Sequence, residues 1–385
     1  MTNQVKKVPE LRFPEFDGEW ENSKLGTVAN VYDGTHQTPK YISEGIKFLS
    51  VENIKTLNSN KFISKEAFEK EFKIRPEFGD VLMTRIGDVG TPNVVETNEH
   101  LAYYVSLALL KPKKLNSYFL ESLIRSQTVQ NELWRKTLHI AFPKKINKNE
   151  IAKVEINYPE QQEQQKIGEF FRKLDRQIEL EEQKLAKLEE QKKGYIQKIF
   201  SQELRFKDEN GNEYTGWKET SVKEIASIAT GNKDTQDAIE NGEYDFYVRS
   251  PKIHKINSYS FDGEAVLTVG DGVGVGKVFH YVNGKFDYHQ RVYKISDFKN
   301  YDAILFYYYF STHFLREAQK YNAKTSVDSV RKDMISNMKI PDLDFDEQKR
   351  ISGFLSKVDV LIDKQNIKIN ELKSRKQVFL QKMFV

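Results

Sequence analysis

The stretch Glu163 to Phe200 occurs twice in this chain. It returns without a gap as Glu347 to Phe384, 184 residues later, and 13 of the 38 positions are identical. The identities fall at Glu163, Gln164, Ile167, Phe170, Lys173, Asp175, Ile178, Lys184, Leu188, Lys192, Gln197, Lys198 and Phe200. Both copies carry apolar residues spaced alternately three and four apart. The first seam runs Phe171, Leu174, Ile178, Glu181, Leu185, Leu188, Lys192, Tyr195, Ile199; the second runs Leu355, Val358, Ile362, Gln365, Ile369, Leu372, Lys376, Phe379, Met383. This spacing is the narrow stripe of a coiled-coil helix. A helix of this length spans about 57 Å at ~1.5 Å per residue, and it cannot cover its own stripe. The obvious cover is the other copy, with Leu174, Ile178, Glu181, Leu185 and Leu188 facing Val358, Ile362, Gln365, Ile369 and Leu372. In an antiparallel pair with a pseudo-two-fold axis, Glu181 is expected to meet Gln365 near the centre, a polar layer that fixes register. Two long helices therefore punctuate the chain, and the remainder reads as two halves.

The halves echo one another elsewhere. Leu11-Arg12-Phe13-Pro14 with Trp20 recurs after the first long helix as Leu204-Arg205-Phe206 with Trp217. The segment that follows one helix thus also opens the chain, as in a ring cut open, so the two termini are expected to lie together. Leu25–Gly34 matches Val222–Gly231 at an offset of 197, whereas Gly79–Thr84 matches Gly263–Thr268 at 184, so the first half carries about 13 extra residues between them. Each pattern opens with a short helix or strand. Strand-like runs follow at Lys47–Val51 and Asp245–Arg249, then glycine turns at Gly87–Gly90 and Gly270–Gly274. Ala102–Leu110 and Asp287–Ile295 read as further strands, Leu115–Ser126 and Tyr301–Tyr321 as amphipathic helices. A short strand ending near Pro159 or Pro341 leads into each long helix, and Asp344 with Glu347 has the spacing of a capping box. The fold expected is α+β: residues 1–158 a first globular domain, 159–200 a long helix, 201–341 a second globular domain and 342–385 the second long helix.

Chemistry-bearing motifs are few. With 385 residues, 38% hydrophobic and 30% charged, the chain has enough apolar residues for two or three cores. No apolar run reaches the ~18 residues of a membrane span. The opening MTNQVKKVPELRF lacks the apolar centre of a secretory signal. The absence of cysteine fits a reducing cytoplasm and removes thiol chemistry and cysteine-based zinc sites. The run Gly270 to Gly276 fails as a phosphate loop, because residue 271 is Asp and Val278 follows Lys277. The seven histidines never reach metal-ligand spacing, so no metal or catalytic residue is assigned. Asp342, Glu347 and Lys349 superficially resemble the acids and lysine of a magnesium-dependent nuclease, but the other half lacks both the Asp and the Lys.

Matched polar and basic clusters remain. In the first half they are Thr35, His36, Gln37, then Thr84, Arg85, Asp88, then Lys144 and Lys145. In the second they are Arg249, Lys252, His254, Lys255, then His289, Gln290, Arg291, then Lys324, Thr325, Ser326, Arg331 and Lys332. Lys and Arg neutralise phosphates, while Arg, Gln and His read base edges through paired hydrogen bonds. The net charge of +4 permits such a surface. Arg85 faces Val269 in the alignment of halves, a concrete asymmetry between them.

The Leu-Arg-Phe…Trp opening with its echo, the Glu-Gln helix starts, the Gln-Lys-Ile-Phe and Gln-Lys-Met-Phe helix ends and the Thr…Gly-Asp turns together resemble the specificity subunit of a type I restriction-modification system. The resemblance covers the whole chain. It implies two target recognition domains, each reading one half of a bipartite, asymmetric site in double-stranded DNA. It implies that the long helices pair antiparallel, set the distance between the domains and dock two methyltransferase (modification) subunits. The subunit itself would be non-catalytic, cytoplasmic and free of cofactor. S-adenosylmethionine, ATP and Mg²⁺ would belong to its partners, which include a motor endonuclease (restriction) subunit. The competing readings are a stand-alone magnesium-dependent nuclease and a coiled-coil adaptor that binds only protein.

Overall fold

The computed structural model describes residues 8–321 and 329–385. The chain divides into two compact units, Met1–Gln183 with Asn366–Val385, and Lys184–Gln365. The first contains β1 (Glu21–Lys24), α1 (Leu25–Val28), β2 (Ala29–Asp33), β3 (Ile46–Leu49), β4 (Phe62–Ile63), α2 (Lys65–Glu71), β5 (Val81–Ile86), β6 (Asp88–Val94), β7 (Leu101–Tyr103), β8 (Leu107–Pro112), α3 (Ser117–Arg125), α4 (Gln127–Arg135), α5 (Lys148–Ala152), β9 (Glu155–Tyr158) and the start of α6 (Gln161–Phe200). The second takes the rest of α6, β10 (Lys218–Ser221), α7 (Val222–Ile225), β11 (Ser227–Thr230), β12 (Tyr244–Tyr247), β13 (Ile253–Ile256), β14 (Phe261–Val269), β15 (Phe279–Tyr288), β16 (Val292–Ser296), α8 (Ala303–Gln319), α9 (Lys332–Ser336), β17 (Lys339–Asp342) and the start of α10 (Phe345–Lys382). The remainder of α10 returns to the first unit.

Each unit is closed by its own first and last strands. β1 pairs antiparallel with β9, and β10 with β17. The main sheets share a plan. In the first unit the order is β2-β8-β5-β6, with a separate sheet β4-β3-β7; in the second it is β11-β16-β14-β15-β12-β13. β15 explains the difference. It runs antiparallel to β14 and then parallel to β12, joining everything into one sheet. In the first unit the same path is broken by Thr97-Asn98-Glu99, so β6 pairs with β5 and β7 pairs with β3. β4 corresponds to β13, each pairing antiparallel with the strand before it, and the extra residues of the first half lie in the longer link from β3 to β4 and in α2.

Two sequence expectations need correction. Ala102–Leu110 is two strands, because Tyr104–Ser106 form a turn between β7 and β8, and a turn at 289–291 likewise divides Asp287–Ile295. The capping box at Asp344 is half made: its carboxylate accepts from the Asp346 amide at 2.9 Å, but Glu347 turns away to Arg205. A further helix, α4, follows α3 directly, with Ser126 ending one and capping the other.

The long helices supply core to both units. In the first, Ile167 and Phe171 of α6 join Leu380, Met383 and Phe384 from the end of α10 beneath α3. In the second, Ile196 and Ile199 of α6 join Ile351 and Leu355 from the start of α10 beneath α8. Burying one such side chain contributes roughly 1.5–3 kcal/mol. Within each unit the two helices run antiparallel. In the first, Asp175 holds Lys376 and Glu182 holds Lys373 at 2.7 Å. In the second, Lys192 holds Asp359, and the Tyr195 and Phe354 rings lie 5.0 Å apart edge to face. Asp175 repeats as Asp359 and Lys192 as Lys376, so both units are braced by the same ion pair with the helices exchanged. Of the two central polar residues, Glu181 pairs with Lys368 inside the first unit. Gln365 is buried and belongs to the second.

The Glu-Gln pair that starts each helix also has one job in both units. Arg12 donates two hydrogen bonds of 2.7 Å to the Glu163 carboxylate, and Arg205 donates bonds of 2.8 and 3.0 Å to Glu347. The amide of Gln164 bridges Asn116 N–H and the Pro159 carbonyl, and that of Gln348 bridges Asp302 N–H and the Leu343 carbonyl. The Leu-Arg-Phe segments dock alike: Leu204 N–H donates to the Lys198 carbonyl at 2.9 Å, and Leu11 N–H donates to the Lys382 carbonyl, also at 2.9 Å. The expectation that residues near the two termini lie together is met within the first unit.

Candidate nucleic-acid interface

One end of each sheet gathers the loops that carry the polar clusters. In the first unit β2 ends at Asp33, and Gly34 must then pass the backbone of Tyr103 and Tyr104. A Cβ at Gly34 would sit 2.4 Å from the Tyr103 carbonyl oxygen. That close approach lets Thr35 bridge to Tyr104 and carries His36 and Gln37 outward, where both are exposed. Gly231 makes the same crossing in the second unit, where a Cβ would lie 1.9 Å from the Tyr288 carbonyl oxygen. Lys233 then bridges to His289.

Around the first turn, the hairpin of β5 and β6 meets the basic loop 138–148. Gly87 N–H donates to the Lys144 carbonyl at 2.8 Å, Ile86 bridges to Lys145, and Ile146 N–H donates to the Arg85 carbonyl at 3.0 Å. Asp88, Lys144 and Lys145 are exposed. Thr84 is fully buried, its hydroxyl accepting from Thr91 N–H at 2.9 Å. Arg85 also lies inside the unit and not on its surface. Its guanidinium binds the Asp33 carboxylate and donates from Nε to the Ile146 carbonyl at 2.9 Å. Asp33 is thus the hub that ties the Thr35–Gln37 turn to the hairpin and the basic loop, with Lys148 a further 4.0 Å contact.

In the second unit, Asp271 plays a comparable part for exposed arginines. Arg249 approaches one of its oxygens at 3.4 Å and Arg291 the other at 3.7 Å. Gly270 N–H donates to the Arg291 carbonyl at 2.7 Å, so the glycine turn and the 289–291 turn are held together. Gln290 donates to Asp234 at 3.0 Å. His289 is buried below them, its Nδ1 accepting from Arg291 N–H at 2.9 Å. Burial holds its pKa below the usual histidine value, helped by Arg249 and Arg291 and opposed by Asp234 and Asp271. Lys252 is exposed beside Arg249. His254 is half-buried on β13, and its neighbour Lys255 pairs with Asp245 at 2.9 Å. Arg331 and Lys332 are exposed at the start of α9, next to Val330, whose N–H donates to the Gly270 carbonyl at 2.7 Å. Lys324, Thr325 and Ser326 lie outside the described residues.

The outward groups are therefore His36, Gln37, Asp88, Lys144 and Lys145 in one unit, and Arg249, Lys252, Gln290, Arg291, Arg331 and Lys332 in the other. Sequence reasoning missed Asp33 and Asp271, because a search for basic clusters passes over the carboxylates that orient them. It also missed Trp134, over whose ring Lys144 Nζ lies at 4.5 Å. The nuclease-like trio does not converge: Glu347 is bound by Arg205 and by the Trp217 indole N–H, while Lys349 pairs with Asp302 at 2.7 Å. No helix among the described residues is long and apolar enough to cross a membrane.

Comparison with known proteins agrees with this doubled plan. The family model for the type I restriction modification DNA specificity domain matches residues 17–190 and again 214–374. The specificity subunit of the type I restriction enzyme EcoDI from Escherichia coli is 35% identical over 79 residues, 20% of this chain and 17% of that protein. The match therefore spans less than a fifth of that curated relative's length. The S subunit of a type I restriction-modification system from M. genitalium superposes with a TM-score of 0.67 at 13% identity, over 98% of this chain and 99% of that one. A chain from a study of assembly and conformational transition in the type I R-M system gives a TM-score of 0.54 at 16% identity, over 94% and 96%. At these identities the two likenesses are of fold.

Proposed function

The chain belongs to the family of type I restriction modification DNA specificity domains, and from that premise we propose that it is the DNA-reading subunit of a type I restriction-modification complex. Each unit reads one half of a bipartite site in double-stranded DNA. The observation that carries this reading is the shared end of each sheet, where loops far apart in sequence present guanidinium, ammonium and amide groups together. Phosphate contacts set register, and the outward Arg, Gln and His groups meet base edges. The two ends display different residues, Gln37, Lys144 and Lys145 against Arg249, Gln290 and Arg291, so the two half-sites differ. The subunit is non-catalytic and works in the cytoplasm. Methyltransferase subunits, two of them, bring S-adenosylmethionine chemistry, and a motor endonuclease brings ATP and Mg²⁺.

The test is coexpression of the chain with its methyltransferase partner, followed by genome-wide mapping of methylated adenines. Replacing residues 15–158 with those of a relative should change one half of the methylated motif and leave the other intact. Replacing Arg291 with Ala should relax only the second half, by about 1–3 kcal/mol of discrimination. Magnesium-dependent cutting by the isolated chain, abolished by Lys349→Ala, would overturn the reading in favour of a nuclease. Methylated motifs indifferent to the exchange would favour a protein-only adaptor.

A further inference from the structure

The loop that joins α4 to α5 ends in two apolar side chains with no protein around them. Ile140 is 100% exposed and Phe142 103%. The loop beneath them is firmly built. Leu138 N–H donates to the Lys145 carbonyl at 2.8 Å, Lys145 bridges to Ile86, and Lys144 accepts from Gly87 N–H. One flank is packed: the His139 ring lies 4.1 Å from the Trp134 ring, tilted by 52°, and Lys144 Nζ lies 4.5 Å from the same ring. Hydrogen bonding of the stem and packing of the flank hold the tip out. An isolated exposed leucine or valine needs no explanation, but a phenylalanine and an isoleucine both bare at the end of a braced loop do.

We propose that this loop is a wedge, with Phe142 and Ile140 inserting between base pairs of the duplex read by the first unit. The inference rests on the DNA-reading function proposed above and assigns that site an apolar contact. Charge favours DNA as the occupant. Lys144 and Lys145 follow the tip directly, and among the described residues neither has a carboxylate partner, so both ammonium groups are available to phosphates on either side of an opened step. Position favours it as well. Arg85 links the stem through the Ile146 carbonyl to Asp33, and Asp33 leads straight into the Thr35–Gln37 turn. An apolar side chain driven into a step unstacks it and kinks the duplex, which lets more protein surface reach the groove.

The experiment uses the full chain assembled with its methyltransferase partner and a duplex carrying the mapped motif. 2-Aminopurine placed at successive positions of the first half-site reports unstacking, and end-to-end energy transfer reports bending. The wild type should brighten 2-aminopurine at one step and shorten the end-to-end distance. Phe142→Ala should abolish both signals and weaken binding about tenfold, with Ile140→Ala/Phe142→Ala weaker still and Phe142→Trp retaining the bend. Since Phe142 touches no core residue, its variants should melt with the wild type. Equal unstacking and bending by wild type and Phe142→Ala would overturn the wedge alone. Lost assembly with the methyltransferase, at unchanged DNA affinity, would overturn it by assigning the tip to a protein partner. A wild-type complex that ignores the duplex would overturn the DNA-reading function itself.

Discussion

The carboxylate of Glu163 has no access to solvent, and both of its oxygens are taken by the Arg12 guanidinium, which also donates to the Gly18 carbonyl at 2.6 Å. The pair is a fork of parallel, charge-assisted bonds, among the strongest that side chains make. The same bonds hold the Arg12 pKa above its usual value, with the hydrogen bonding to Glu163 the largest cause. Its stability value lies in what its loss would leave behind. Arg12→Ala strands a buried carboxylate and should cost ~3–5 kcal/mol in urea unfolding of the first unit. Arg12→Ala with Glu163→Gln should cost less than Arg12→Ala alone, since the buried charge is then gone. Both residues stand out in the sequence as repeats, Arg12 with Arg205 and Glu163 with Glu347. That they bind one another does not, because their separation along the chain is unrelated to any helical or strand period. Arg85 teaches the converse. Its place beside a glycine turn reads as a group facing DNA, yet Asp33, on another strand, draws it inside.

At the scale of elements, periodicity was the dependable signal. The three-four seams follow the buried and half-buried stripes of α6 and α10, with Tyr195 the exposed exception, and the repeated seam residues Lys192 and Lys376 form reciprocal ion pairs with Asp359 and Asp175 across the two helices. α4 was illegible because only Val129 and Leu133 of its nine residues are buried, too few to make a period. The division of one strand path into β6 and β7 was also hidden, since it depends on which neighbour each piece finds. Gly34 and Gly231 stand in the sequence only as the ends of two matched segments, whereas the structure makes them crossing points. Gly231→Ala would put a Cβ 1.9 Å from the Tyr288 carbonyl, so the chain leaving β11 must shift away from the end of β15. Overpacking of this kind costs ~1–3 kcal/mol. The expected outcome is a lower urea midpoint for the second unit and faster amide exchange at His289, with the first unit unchanged.

For the whole molecule, the doubled plan hides an inequality. The second unit is one continuous segment, Lys184–Gln365, whereas the first is assembled from Met1–Gln183 and Asn366–Val385. Leu380, Met383 and Phe384 lie in the core of the first unit, against Trp20, Phe119 and Phe171. Removing 366–385 should therefore expose that core and abolish the slow amide exchange of β5 and β8. β14, β15 and β16 should keep theirs, which hydrogen-exchange mass spectrometry can read peptide by peptide.

The hydrogen bond from Leu11 N–H to the Lys382 carbonyl has a consequence in time. Domains generally complete folding as they leave the ribosome, the earlier-made first. Here the unit begun first must wait with its core open until the helix that closes it has been translated, after the whole of the other unit. During that interval the nascent first half needs shelter, from a chaperone or from a partner already at hand, and the second half does not.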